Sequence, residues 1–201
     1  MPRVDNDRFY AASLKKYGVS ARGVQWRSEE NQTVRFEQIV SLIPPSEGSI
    51  RIADAGCGFG DLYRFLLPRL GEKLRYVGID SHEEMVRIAR KRARGEVLWR
   101  DVLRDPLPRA DYYVCSGALN ILTPYEAQRF IRRCYESSAE GFVFNFLEGS
   151  EASNTYNYMN AASIERMAGE LNARCVLRRG YLQGDCTAAF YRQGDATRLQ
   201  Q

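Results

Sequence analysis

Three glycines spaced two apart stand between two carboxylates in Asp54-x-Gly56-x-Gly58-x-Gly60-Asp61, and further carboxylates, Asp80 and Asp101, close the next two apolar runs. Glycines at such a point let the backbone adopt positive φ and let a ligand lie against the main chain, where any Cβ would intrude. Asp80 follows the turn at about 20 residues, the spacing at which an acidic group meets ribose hydroxyls. Together these residues suit a nucleotide-like ligand. A pyrophosphate would rest on the amides of the following helix, where Asp54 and Asp61 would repel it.

A cationic nucleoside reverses that objection. S-adenosylmethionine has no phosphate and carries a positive sulfonium and a positive α-amino group, which flanking carboxylates attract. Asp54-x-Gly56-x-Gly58-x-Gly60 resembles, letter for letter, motif I of the class I S-adenosylmethionine-dependent methyltransferases. Val77-Gly78-Ile79-Asp80-Ser81-x-Glu83-x-Met85 resembles their second motif. The resemblance implies a cofactor site made by Asp54, Gly56, Cys57, Gly58, Gly60, Asp61, Leu62, Asp80, Ser81, Asp101, Val102 and Ser116. It implies that Asp101 accepts from the adenine amino group beside the Val102 amide, and that the loop holding Ser116 closes over the sulfonium. Trp26…Asn31-x-x-x-Arg35 is similar to the segment ahead of motif I in ubiquinone-type O-methyltransferases, where such an arginine binds the methionine carboxylate. A planar guanidinium suits that contact, and the competing reading of Arg35 is a solvated side chain. The likeness covers residues 26–192 at the level of fold and residues 52–101 at the level of motifs.

Positioning those groups requires a regular frame. Apolar runs at residues 50–55, 74–80, 96–102, 111–115 and 141–147 read as strands. Helical patterns at 61–70, 81–93 and 123–137 separate them, with capping boxes expected at Ser81-x-x-Glu84 and Thr123-Pro124-x-Glu126. A helix over 163–171 and a hairpin of residues 174–181 and 187–192 complete the pattern. The expected fold is α/β: a three-layer, Rossmann-like, seven-stranded sheet, mostly parallel, with an antiparallel C-terminal hairpin strand. Residues 49–192 form its core and residues 193–201 a tail. Residues 1–48, with helices near 5–17 and from Ser28 to the Pro44-Pro45 stop, form either a lid over the site or a cap on a sheet edge. The polar, aromatic connection after the fifth strand lies where a substrate pocket belongs. Acceptor-binding candidates are therefore Tyr156, Asn157 and Tyr158, with Tyr17 and Trp26 from the N-terminal segment and Asn120 after the fourth strand.

Composition narrows the function further. The 201 residues suit one domain, with no 18-residue apolar run and no signal-peptide core, so a cytoplasmic protein without membrane association is expected. Five scattered cysteines fit neither a disulfide framework nor a zinc site, and no metal is expected. The basic side of the 81–93 helix (Arg87, Arg90, Lys91, Arg94) lacks aromatic residues for stacking, which favours a solvated face over an RNA surface. The lone histidine, His82, has no orienting neighbour in sequence. Methyl transfer needs alignment and exclusion of water rather than a protein nucleophile, so no catalytic residue is assigned. The leading expectation is methylation of a small molecule. The alternatives are an RNA or protein substrate, or a catalytically silent cofactor-binding module.

Overall fold

Strands buried on both faces run almost continuously apolar, and the central strands of a computed structural model of the chain do so. The structure describes residues 15–20 and 28–194. Helix α1 (Glu29–Ser41) precedes β1 (Ile50–Ala55), α2 (Asp61–Leu70), β2 (Leu74–Asp80), α3 (Glu83–Arg92) and β3 (Glu96–Trp99). Then follow β4 (Ala110–Cys115), α4 (Pro124–Ser137), β5 (Ser138–Glu148), β6 (Tyr158–Met159), α5 (Ala161–Glu170), β7 (Ala173–Arg178) and β8 (Asp185–Arg192).

The sheet order is β3-β2-β1-β4-β5-β8-β7, parallel from β3 to β5 and antiparallel at β5–β8 and β8–β7. This is the expected seven-stranded path. The two-residue β6 is an addition, formed because the connection after β5 folds back beside its end, Leu147 opposite Tyr158. The chain steps outward from β1 to β3, then returns to lay β4 on the other side of β1. Such a reversal opens a crevice at the carboxyl ends of the strands.

Alternation along each strand supplies two cores. On one face Tyr113, Cys115, Phe142, Phe144 and Phe190 pack with Phe130 and Ile131 of α4 and Ile164 and Met167 of α5. On the other, Ile52, Tyr112, Val114, Val143 and Ala189 pack with Phe36 and Ile39 of α1 and Leu62, Tyr63 and Leu66 of α2. That gives three layers with the crevice at their upper edge.

The helix ends follow local chemistry with one correction. Ser28 caps α1 by accepting from Asn31 N at 3.2 Å. Thr123 and Glu126 form the reciprocal box expected at α4, with Pro124 in the first turn. The box expected at Ser81 is absent: Asp80 Oδ1 takes the His82 amide at 2.9 Å, α3 begins at Glu83, and Glu84 turns out to Arg87. In α1 the buried side is not wholly apolar, because Gln32 and Arg35 lie on it with Phe36 and Ile39.

Candidate functional site

The glycine turn is tied to β2 by hydrogen bonds from its backbone amides. Gly56 N and Cys57 N both donate to Ile79 O, at 2.8 and 3.1 Å, which pulls the end of β1 onto β2. Gly56 has φ +81°, and a Cβ there would stand 2.5 Å from that of Ala118. Gly58 has φ +53°, and its amide donates to Asp80 Oδ2 at 2.8 Å. Asp80 therefore holds the turn with one oxygen and starts α3 with the other, while its carboxylate faces the crevice.

The carboxylates differ in what neutralises them. Asp61 is paired with Arg92 of α3 at 2.6 Å, so its charge is largely offset. Asp54 and Asp80 form no salt bridge among the described residues. Asp54 is buried and accepts from Tyr76 OH at 2.8 Å. Burial pushes its carboxyl up to about 7 against that hydrogen bond, helped by the negative Asp80 and Asp61. Burial also raises Asp80, outweighing its bonds from His82 and Gly58. The same desolvation holds the Cys57 thiol well above its ordinary range, so it stays protonated.

This has a consequence for stability. Asp54 ionises near 3.8 in an unfolded chain and near 7 in the folded one, so between those values the folded state holds the extra proton. Stability therefore falls as pH rises across that window and levels off above it, by up to about 4 kcal/mol. Asp54→Asn should gain on the parent in urea denaturation as pH is raised from about 4 to 7. A difference between the two proteins that does not vary with pH would show that Asp54 titrates normally.

The crevice encloses about 660 Å³. One end is closed by the loop after β3, where Asp101 Oδ1 accepts from Leu103 N at 2.8 Å and Arg100 N donates to Asp80 O at 2.9 Å. At the other end Arg35 of α1 forms a buried ion pair with Asp185 at the start of β8. Beside it Ser116, at the end of β4, donates to Asn145 of β5 at 2.8 Å.

Residues 52–141 match the family model of a methyltransferase domain. Rv1506c of Mycobacterium tuberculosis (strain H37Rv), which bears a methyltransferase designation, is 42% identical over 71 residues, 35% of this chain. That match spans 42% of the relative's length. The magnesium protoporphyrin IX methyltransferase ChlM of Synechocystis PCC 6803, solved with bound S-adenosylhomocysteine, superimposes with a TM-score of 0.64 at 18% identity, covering 81% of this chain and 83% of that one. A TehB-like S-adenosylmethionine-dependent methyltransferase of Corynebacterium glutamicum gives 0.65 at 14% identity over 94% and 98% of the two chains. These structural likenesses establish the fold. Residues 52–141 are thus similar to a methyltransferase domain, set in the fold of solved S-adenosylmethionine-dependent methyltransferases.

Within this fold the crevice gathers Arg35, Asp54, Gly56, Cys57, Gly58, Asp61, Leu62, Asp80, Ser81, Asp101, Val102, Ser116, Asn120 and Tyr156 of the residues expected from sequence. Gly60 does not line it and instead supplies the left-handed start of α2. Asn157 and Tyr158 line a second, smaller cavity of about 210 Å³ against α4 and α5. Tyr17 is exposed and away from the crevice, and Trp26 lies outside the described residues. Sequence reasoning missed Gln32, Phe36, Leu103, Arg104, Glu126 and Phe130, which also line it. It also missed Asn145, whose signal was one amide inside the aromatic run Phe142 to Phe146. The donor set suits the family's cofactor: bare backbone at the turn, and two carboxyls lacking a cation partner among the described residues. The volume falls in the range of small-molecule sites, about 300–1,000 Å³.

Proposed function

We propose that the chain transfers a methyl group from S-adenosylmethionine to a small molecule. The observation that carries this reading is the crevice into which β1, β2, β3 and β4 deliver Asp54, Asp80, Asp101 and Ser116 around the glycine turn. When bound, the cofactor supplies a methyl group made electrophilic by its sulfonium. In this reading Asp80 accepts from the ribose hydroxyls, Asp101 and the Val102 amide meet the adenine, and the backbone at Gly56 and Gly58 lies against the methionine. Arg35 meets the methionine carboxylate while it holds Asp185, since a guanidinium has five N–H donors. The protein's task is then to orient the acceptor and exclude water. We assign residues 49–192 to this core, residues 1–48 to its cover, residues 193–201 to a tail, and the protein to the cytoplasm.

Two observations support a small acceptor. The crevice is flanked by α1 residues Gln32, Arg35 and Phe36 and by Tyr156, and its volume of about 660 Å³ suits a cofactor and a small acceptor. The basic side of α3 is partly spent within the fold: Arg87 pairs with Glu84, Arg90 donates to Val97 O at 3.1 Å, and Arg92 holds Asp61. ChlM, by its name, methylates a small molecule. No helix among the described residues is long and apolar enough to cross a membrane.

Calorimetry tests the cofactor: S-adenosylhomocysteine should bind with roughly micromolar affinity. Absence of binding to the folded protein would refute the reading. Incubation with methyl-labelled S-adenosylmethionine and a metabolite extract tests the acceptor. Label should appear in a small molecule, whereas label in RNA or protein would select another substrate, and none would indicate a silent module.

A further inference from the structure

A chain of polar side chains runs behind the crevice through an otherwise apolar sheet. Ser116 Oγ donates to Asn145 Oδ1 at 2.8 Å, and Asn145 Nδ2 donates to Thr187 Oγ1 at 2.7 Å. Tyr181 OH and Thr187 Oγ1 are 2.8 Å apart. Asn145 and Thr187 are 1% and 0% exposed, so these bonds are made without competing water. Asn145 stands directly opposite Thr187 in the β5–β8 ladder, which fixes its place, and Thr187 engages its NH2 group. The amide oxygen is left for Ser116.

That arrangement decides the polarity of Ser116. A serine hydroxyl has one hydrogen and two lone pairs, and here the hydrogen is spent on Asn145. The crevice therefore meets Ser116 as an acceptor of hydrogen bonds. Ser116 lies at the end of β4, on the opposite side of β1 from Asp80 and Asp101, which end β2 and follow β3. The half of the crevice over β4 and β5 is thus the one left for the methyl acceptor once the nucleoside occupies the other.

We propose that Ser116 Oγ, aimed by Asn145, receives a hydrogen from the nucleophilic atom of the methyl acceptor, so that the acceptor is a small molecule bearing an N–H or O–H at that atom, an amine or a hydroxyl. Ser116 is the contacting residue and Asn145 its positioning residue. A carboxylate presents only lone pairs and would face those of Ser116. The proposal rests on the methyltransferase reading above.

The probe is sinefungin, the cofactor analogue with a C–NH3⁺ group where the sulfonium carries its methyl, compared by calorimetry with S-adenosylhomocysteine. Sinefungin should bind the parent about tenfold or more tightly than S-adenosylhomocysteine, because its ammonium donates to Ser116. Ser116→Ala should bring the two ligands to within about twofold of one another by lowering the affinity for sinefungin more than that for S-adenosylhomocysteine. Ser116→Thr, which restores a hydroxyl, should recover the preference. Asn145→Leu, checked by its melting temperature, should weaken the preference without erasing it, because the freed hydroxyl keeps its lone pairs but loses the bond that aims them. If Asn145→Leu does not fold, the two Ser116 variants decide alone. Equal affinities in the parent, or a preference that survives Ser116→Ala, would overturn the proposal. So would a parallel loss for both ligands, which would assign Ser116 to the cofactor's own α-ammonium. If neither ligand binds the parent, the methyltransferase reading itself fails.

Discussion

Asp80→Ala is expected to weaken binding of S-adenosylhomocysteine by about 10² or more. Two charge-assisted hydrogen bonds from ribose hydroxyls, at about 1.5 to 3 kcal/mol each, would be lost with the carboxylate. The structure adds a second source of loss. Asp80 accepts from Gly58 N at 2.8 Å and from His82 N at 2.9 Å, so alanine also releases the glycine turn and the start of α3. The two sources are separable with Asp80→Asn, whose side-chain oxygen can serve one amide but whose NH2 cannot accept from a ribose. Calorimetry and thermal melting on both variants give the answer. An alanine variant that binds within threefold of the parent would show that another group clamps the nucleoside.

The parts of this arrangement that a reader of the sequence could see are those whose signal is local. Strands β1, β2, β4 and β5 show as apolar runs because both faces are buried, and the Thr123–Glu126 box shows because its partners are three residues apart. Ser81-x-x-Glu84 has the same spelling and fails: Asp80 holds the His82 amide, the helix starts at Glu83 with His82 as its N-cap, and Ser81 is left one residue outside the cap position. Which of two local options wins is set by the neighbouring strand end, which the pattern does not contain. The ion pair of Arg35 with Asp185 joins positions 150 apart in sequence, and Tyr76 meets Asp54 across 22. Nothing in either segment names its partner. Ser116 was visible as a loop residue after a strand, but its polarity as a hydrogen-bond acceptor follows from Asn145 and Thr187, on two other strands. Local spelling gave the glycine turn and the strand-end carboxylates, and only the assembled sheet gives Ser116 and Arg35 their partners.

Gly58→Val should abolish detectable binding of S-adenosylhomocysteine, the largest effect expected of any single substitution here. Gly58 sits at φ +53°, a conformation that glycine adopts freely and that a β-branched residue adopts only with strain of about 1–3 kcal/mol. Turning the 57–58 peptide to relieve that strain would withdraw the Gly58 amide from Asp80. The turn then loses its tie to β2 at the same moment that two methyl groups enter the space beside the backbone. Strain, the lost amide bond and the filled space all act on the same small volume, so their effects on the ligand combine. Gly58→Ala separates them: it carries a smaller version of the strain and a single methyl, and should retain weakened binding. Gly71, at the same φ of +53° but with open space where a Cβ would stand, is the control for strain alone. Gly71→Ala should lower the melting temperature and leave affinity unchanged. If Gly58→Val binds S-adenosylhomocysteine as the parent does, the ligand does not lie against this turn, and the assignment of the crevice must move with it.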